Sequence, residues 1–197
     1  MPVKIFYSWQ DKTPPKSKYN RSFIRECIDE AVLKVIKELG LPSDYFVVAS
    51  DLEDVPGWVN IPTTIEGRIR EADIYIADLS FIAIIDGEGV PAPNVTGELY
   101  YAKGSIGEGR LITVSNTVYG PSTLLPFDLR QNRFGCQYEY DDTHPKPQAR
   151  GKLVNCLSGA ITTICTNELE REKAYVKPFM NWPKYHSAYH NRIAKTQ

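Results

Sequence analysis

Carboxylates, hydroxyls and aromatic rings stand where the apolar runs of this chain stop. Tyr7, Ser8, Trp9 and Gln10 close a run that begins at Val3, and Asp51 follows the run Tyr45–Ala49. Asp78 and Ser80 close Asp73–Leu79, and Asn94 opens a helical stretch that carries Glu98. If the runs are parallel strands, their carboxyl ends share one edge, where open α/β sheets bind nucleotide-like ligands. An aromatic plate beside several carboxylates suits an uncharged sugar flanked by a ring. It is a poor cradle for bare phosphate. A carboxylate beside a sugar can hydrogen-bond its hydroxyls and stabilise positive charge as it develops at carbon.

Each candidate has a plainer reading beside the chemical one. With Asn94 as cap, Glu98 falls in the first helical turn and borders the apolar stripe Val95, Leu99, Ala102 by roughly 60°. It either stabilises the helix dipole by about 0.3–1 kcal/mol, or turns a carboxylate into the cleft, where partial burial tunes it. Asp78 is a turn carboxylate bonding backbone N–H groups ahead of it, or it positions a ligand. Trp9 covers core or supplies the plate, as does Tyr7. Asp51 is a solvated loop charge or a rim carboxylate.

Several chemistries are excluded. There is no Walker A motif, and no GxGxxG follows the first strand; Gly104, Gly107 and Gly109 lie between a helix and a strand, the reverse of the dinucleotide order. No GxSxG elbow is present. His186 and His190 lack a carboxylate at ligand spacing, so no metal site is expected. Cys27, Cys136, Cys156 and Cys165 form no CxxC pair and read as buried thiols.

The elements that must position these residues alternate strand and helix. Val3–Ser8 is the first strand, and Asn20 caps a helix to about Leu39 with Ile24, Ile28, Ala31, Val35 and Leu39 inward and Gly40 as stop. Tyr45–Ala49 is a buried strand, Asp51–Trp58 a loop, and Asn60 with Pro62 opens a second helix to about Glu71. Asp73–Leu79 is the central strand, Phe81–Pro93 a long loop, Arg110–Ser115 and Arg133–Tyr138 the last two strands, and Lys152–Arg171 the last helix. This pattern implies a flavodoxin-like three-layer α/β sandwich around a mostly parallel five-stranded sheet, with strand order left open.

Of 197 residues, 42% are hydrophobic and 24% charged, as in ordinary globular domains. The domain is expected over residues 1–172, followed by an aromatic-rich tail, 173–197. A net charge of −1 argues against a large nucleic-acid footprint. No apolar run reaches the ~20 residues of a membrane helix, and no signal peptide opens the chain, so a cytoplasmic location is expected.

Taken together, Ile5-Phe6-Tyr7-Ser8-Trp9, Val55-Pro56-Gly57, Ala72 to Ser80, Pro93 to Ala102 and Leu125-Pro126-Phe127-Asp128-Leu129 resemble the bacterial TIR-like proteins, a group related to nucleoside 2-deoxyribosyltransferases. The resemblance runs in order over about residues 3–140. It implies cleavage of an N-glycosidic bond, usually that of nicotinamide in NAD, with NAD as substrate and no separate cofactor. It also implies a role as effector or signal generator in antiphage defence, and activation by self-assembly or with a partner sensor protein. Glu98 falls on the catalytic glutamate and the loop after the first strand on the substrate-binding region. Ala92 stands where an Asn is expected, and the loop at Asp51 lacks a frequent neighbouring Arg. A non-catalytic nucleotide-binding domain and a deoxyribosyltransferase remain as alternatives.

Overall fold

In a computed structural model the chain describes residues 2–10, 17–49, 60–131 and 135–180, with side chains of the last helix described to residue 167. Asp51 and the Val55-Pro56-Gly57 loop therefore lie outside the described residues, as does 181–197 of the aromatic tail. Contacts divide the chain into two units, 1–161 and 162–197.

The first unit is built on a parallel sheet. Strands β1 (Val3–Ser8), β2 (Phe46–Ala49), β3 (Ile74–Asp78), β6 (Leu111–Asn116) and β7 (Cys136–Tyr138) lie in the order β2-β1-β3-β6-β7. This is the flavodoxin-like order, whose direction of winding reverses between β1 and β3. Every residue of β3 is buried, as expected of a strand covered on both faces. Strand β2 is an edge, with Val47 50% exposed, so its apolar run does not mark a buried strand.

The register sorts side chains onto two faces. Phe6 pairs with Tyr75 and Ser8 with Ala77, so these four share one face; Tyr7 pairs with Ile76, and with Asp78 they share the other. Helices α2 (Ile61–Arg70) and α3 (Pro93–Ile106) cover the first face, where Phe6, Tyr75 and Ala77 pack with Ile69, Val95, Leu99 and Ala102. On the second face lies α1 (Arg21–Leu39), where Phe23 meets Tyr138 at 5.1 Å between ring centroids. The start of α5 (Lys146–Met180) flanks α1, with Arg150 bonded to Glu30 at 2.6 Å.

Local sequence explains most helix ends. Gly40 caps α1 in the left-handed conformation at φ 63°, and Asn60 caps α2 by accepting from the Thr63 N–H at 3.1 Å. Asn20 stands at the start of α1 as expected, but its side chain makes no cap bond.

Three expectations need correction. The segment after β3 is not a loop: Phe81–Ile85 and Glu88–Pro91 form an antiparallel hairpin, β4 and β5, turned at Asp86-Gly87 with both φ positive. Helix α3 begins at Pro93 with Ala92 as its cap position, so Asn94 is not the cap. Proline at the first helical position carries no N–H that would need a partner, which favours the earlier start. The cysteines are not all free. Cys136 on β7 and Cys156 on α5, with Cα atoms 5.6 Å apart, form a disulfide, while Cys27 and Cys165 are buried thiols. Spacing cannot foresee that bond, because it depends on where α5 lies against the sheet. Such bonds persist in oxidising surroundings, so the cysteines no longer support a cytoplasmic expectation. No described helix is long and apolar enough to cross a membrane.

Candidate active site

The edge formed by the ends of β1 and β3 carries the site. Ser8 ends β1, and α3 passes over the same sheet face with Val95, Leu99 and Ala102 buried against it. Glu98 precedes Leu99 and follows Val95 by three residues, so the helix sets its side chain at the border of that stripe. It is half-buried, and the Ser8 hydroxyl donates to its Oε2 at 2.5 Å. Among the described residues its other oxygen accepts no hydrogen bond.

The helix start weakens the dipole reading of Glu98. Counting from Pro93, Glu98 is the sixth residue of α3, and no acidic residue stands in the first turn. The helix dipole acts mainly within the first turn. It therefore gives Glu98 little reason to be where it is. Burial raises the Glu98 carboxyl above its ordinary range, and the Ser8 hydroxyl opposes that by stabilising the ionised form. A half-buried carboxylate raised above its ordinary range, with one oxygen anchored and set at a sheet switch point, is equipped to face a developing cation.

Other residues hold the rim. Trp9 is half-buried, with the Arg21 guanidinium 3.4 Å from its ring centroid. The amide of Asn94, at the second position of α3, donates to the Trp9 carbonyl at 3.4 Å. Thus Asn94 ties the helix start to the loop leaving β1.

Asp78, Ser80 and Tyr7 do not join Glu98. They lie on or behind the α1 face of the sheet and are buried. Asp78 Oδ1 accepts from the Ser80 N–H at 3.0 Å, and the Asn20 amide donates to both Asp78 oxygens at 3.3 and 3.4 Å and to Ser80 Oγ at 2.6 Å. The Asn116 N–H donates to Ser80 Oγ at 2.9 Å, and the Asn116 amide donates to Asn20 Oδ1 at 3.2 Å. Burial pushes Asp78 up to about 6, against the pull of Ser80 and Asn20. This cluster locks the start of α1 to the ends of β3 and β6. Tyr7 is fully buried, its phenol raised first by burial and then by Asp78, so it presents no open ring for stacking.

Sequence reasoning expected these residues to converge on one cleft, but the register divides them between the two faces of the sheet. A strand sends neighbours to opposite sides, so Tyr7 and Ser8 part company. Asn20 and Asn116 were missed because Asn20 reaches Asp78, and Asn116 reaches Ser80 and Asn20, only through the fold. Tyr75 was missed as a neighbour of Ser8, which only the β1–β3 register reveals. Among the described residues no cluster of His, Cys, Asp and Glu could hold a metal ion.

Comparison with known proteins adds little. No family profile and no curated protein matches the chain. Among solved structures, a 2-desoxiribosyltransferase from Leishmania mexicana is similar, with a TM-score of 0.39 and 20% identity over 78% of this chain and 98% of that one. A likeness at that level carries no argument about function. The TIR-like resemblance rests on the quoted motifs alone.

Proposed function

We propose that the protein cleaves the N-glycosidic bond of a nucleoside-type substrate, with Glu98 as the carboxylate beside the sugar. The observation that carries this reading is the half-buried Glu98, bonded to Ser8 at the β1–β3 switch point. As the bond breaks, its electron pair leaves with the base and the sugar carbon becomes oxocarbenium-like. The Glu98 carboxylate stabilises that centre or bonds to it, and water or a second acceptor then takes the sugar. Trp9, backed by Arg21, is the ring available to stack on a base at the rim.

NAD is the first substrate to test, because the motifs around Ser8 and Glu98 resemble those of NAD-consuming TIR-like proteins. Loss of nicotinamide from NAD would release ADP-ribose or its cyclic form, which suits an effector or signal generator in antiphage defence. Deoxyribosyl transfer uses the same carboxylate on a deoxynucleoside and is the second reading.

The experiment is chromatography of NAD, and separately of a deoxynucleoside with a free base, incubated with wild type and with Glu98→Gln at dilute and high protein concentration. The expected result is product with one substrate class and a loss of at least about a hundredfold in the variant. Undiminished turnover by Glu98→Gln sinks the assignment of Glu98. Ligand-dependent thermal stabilisation with no product from either substrate points to a binding domain instead.

A further inference from the structure

A second hydroxyl, that of Tyr75, lies close enough to feel both Ser8 and Glu98, and among the described residues it meets no partner at full hydrogen-bond geometry. Tyr75 pairs with Phe6 across β1 and β3, so it rises from the same face as Phe6 and Ser8, beneath α3. Its ring lies 6.1 Å from that of Phe6, nearly parallel at 12°. Its exposure is 0%, yet among the described residues its hydroxyl oxygen has no partner at full hydrogen-bond geometry. A phenylalanine would fill this place without the cost of burying an unpartnered hydroxyl. The Tyr75 phenol still feels the site. Burial raises it most, the nearby Ser8 hydroxyl lowers it by a hydrogen-bonding interaction short of full geometry, and the charge of Glu98 pushes it up.

Ser8 has a single hydroxyl proton, which it gives to Glu98. We propose that Ser8 is a two-position switch, donating to Glu98 while the site is empty and turning to the Tyr75 hydroxyl once a sugar hydroxyl takes its place. The turn is a change between staggered χ1 positions. It lets a ligand take the carboxylate oxygen without stranding Ser8, and it gives Tyr75 its missing partner. Tyr75 is therefore a positioning residue, acting through Ser8. The sugar half of this inference rests on the proposed function. The coupling of Tyr75, Ser8 and Glu98 does not.

That coupling is measurable in the free protein, because protonating Glu98 mimics the arrival of a sugar by removing the charge that holds Ser8. Among the described residues, the groups that act on Glu98 are Ser8 from β1 and Tyr75 from β3. On α3 itself, Lys103 pairs with Glu108 at 2.7 Å, and Asp78 lies on the opposite sheet face. Carbon-detected NMR titration of the Glu98 carboxyl is compared in wild type, Tyr75→Phe, Ser8→Ala and the double variant. Tyr75→Phe keeps the ring stack on Phe6 and removes only the hydroxyl.

With the alternative partner gone, the protonated state loses support, and the Glu98 midpoint falls by about half a pH unit. In the Ser8→Ala background Tyr75→Phe leaves the midpoint where it is. No shift marks Tyr75 as purely structural, a rise marks a fixed Tyr75–Ser8–Glu98 chain, and an equal shift without Ser8 marks direct action on Glu98. Each of those three results overturns the switch. With NAD as substrate, Tyr75→Phe raises KM roughly fivefold with little change in kcat, again only when Ser8 is present. The titration needs no turnover. A protein that cleaves neither NAD nor a deoxynucleoside refutes the proposed reaction while leaving the switch to be decided by NMR.

Discussion

Burial, partial at Glu98 and complete at Asp78, raises both carboxyls above their ordinary range, yet their surroundings give them opposite kinds of work. Glu98 keeps one oxygen bonded to Ser8, and the reaction proposed for it requires the ionised form. Activity should therefore rise as pH climbs through an acidic limb set above the usual carboxylate range. Ser8→Ala removes the hydroxyl that favours ionisation and should move that limb to higher pH, as a pH–rate profile of both proteins will show. Asp78 is enclosed by Asn20 and Ser80, and burial lifts it from 3.8 to about 6. The folded protein thus holds this proton over a range where the unfolded chain has released it. Its contribution to stability is greatest below about pH 4 and declines as pH rises through about 6. Asp78→Asn should remove that decline, gaining on wild type by about 2–3 kcal/mol between pH 4 and 7 in urea unfolding.

At the scale of elements, two short segments set the boundaries of the site. The hairpin β4–β5 follows β3 directly and returns the chain to Pro93, so it fixes where α3 begins. Its Asp86-Gly87 turn is a strong hairpin signal in the sequence, but the Gly- and Pro-bearing stretch around it reads equally as loop. That misreading moved the helix start and put Glu98 in the wrong turn. Strand β7 depends on a close approach just before it. A Cβ on Gly135 would lie 2.0 Å from the backbone oxygen of Thr113 on β6. Backbone cannot yield as a flexible side chain does, so Gly135→Ala should push β7 from β6. The expected loss is about 2 kcal/mol in denaturant unfolding. Gly97→Ala on α3 meets nothing within 4 Å and should leave stability equal or slightly higher.

Across the whole molecule, the Cys136–Cys156 bond closes a segment of 20 residues and joins the last strand to the helix covering its face. Constraining the unfolded chain in this way is worth about 3 kcal/mol. Reduction, or Cys156→Ser, should therefore lower the melting temperature by roughly 6–12 °C. Equal melting with and without reductant would show that the bond adds nothing. The alternating apolar runs and helix stripes settled the architecture, because a strand or helix must bury its apolar side wherever it sits. Sequence alone also put the ends of β1 and β3 at one sheet edge, since parallel strands end together. Tertiary structure decided the rest. Strand order and register put Ser8 under Glu98, sent Tyr7 and Asp78 to the other face, gave Asp78 its partner Asn20, and brought Tyr75 and Cys156 to their neighbours. Each of those outcomes depends on which strand lies beside which, and local periodicity, repeating identically in every strand, does not encode that choice.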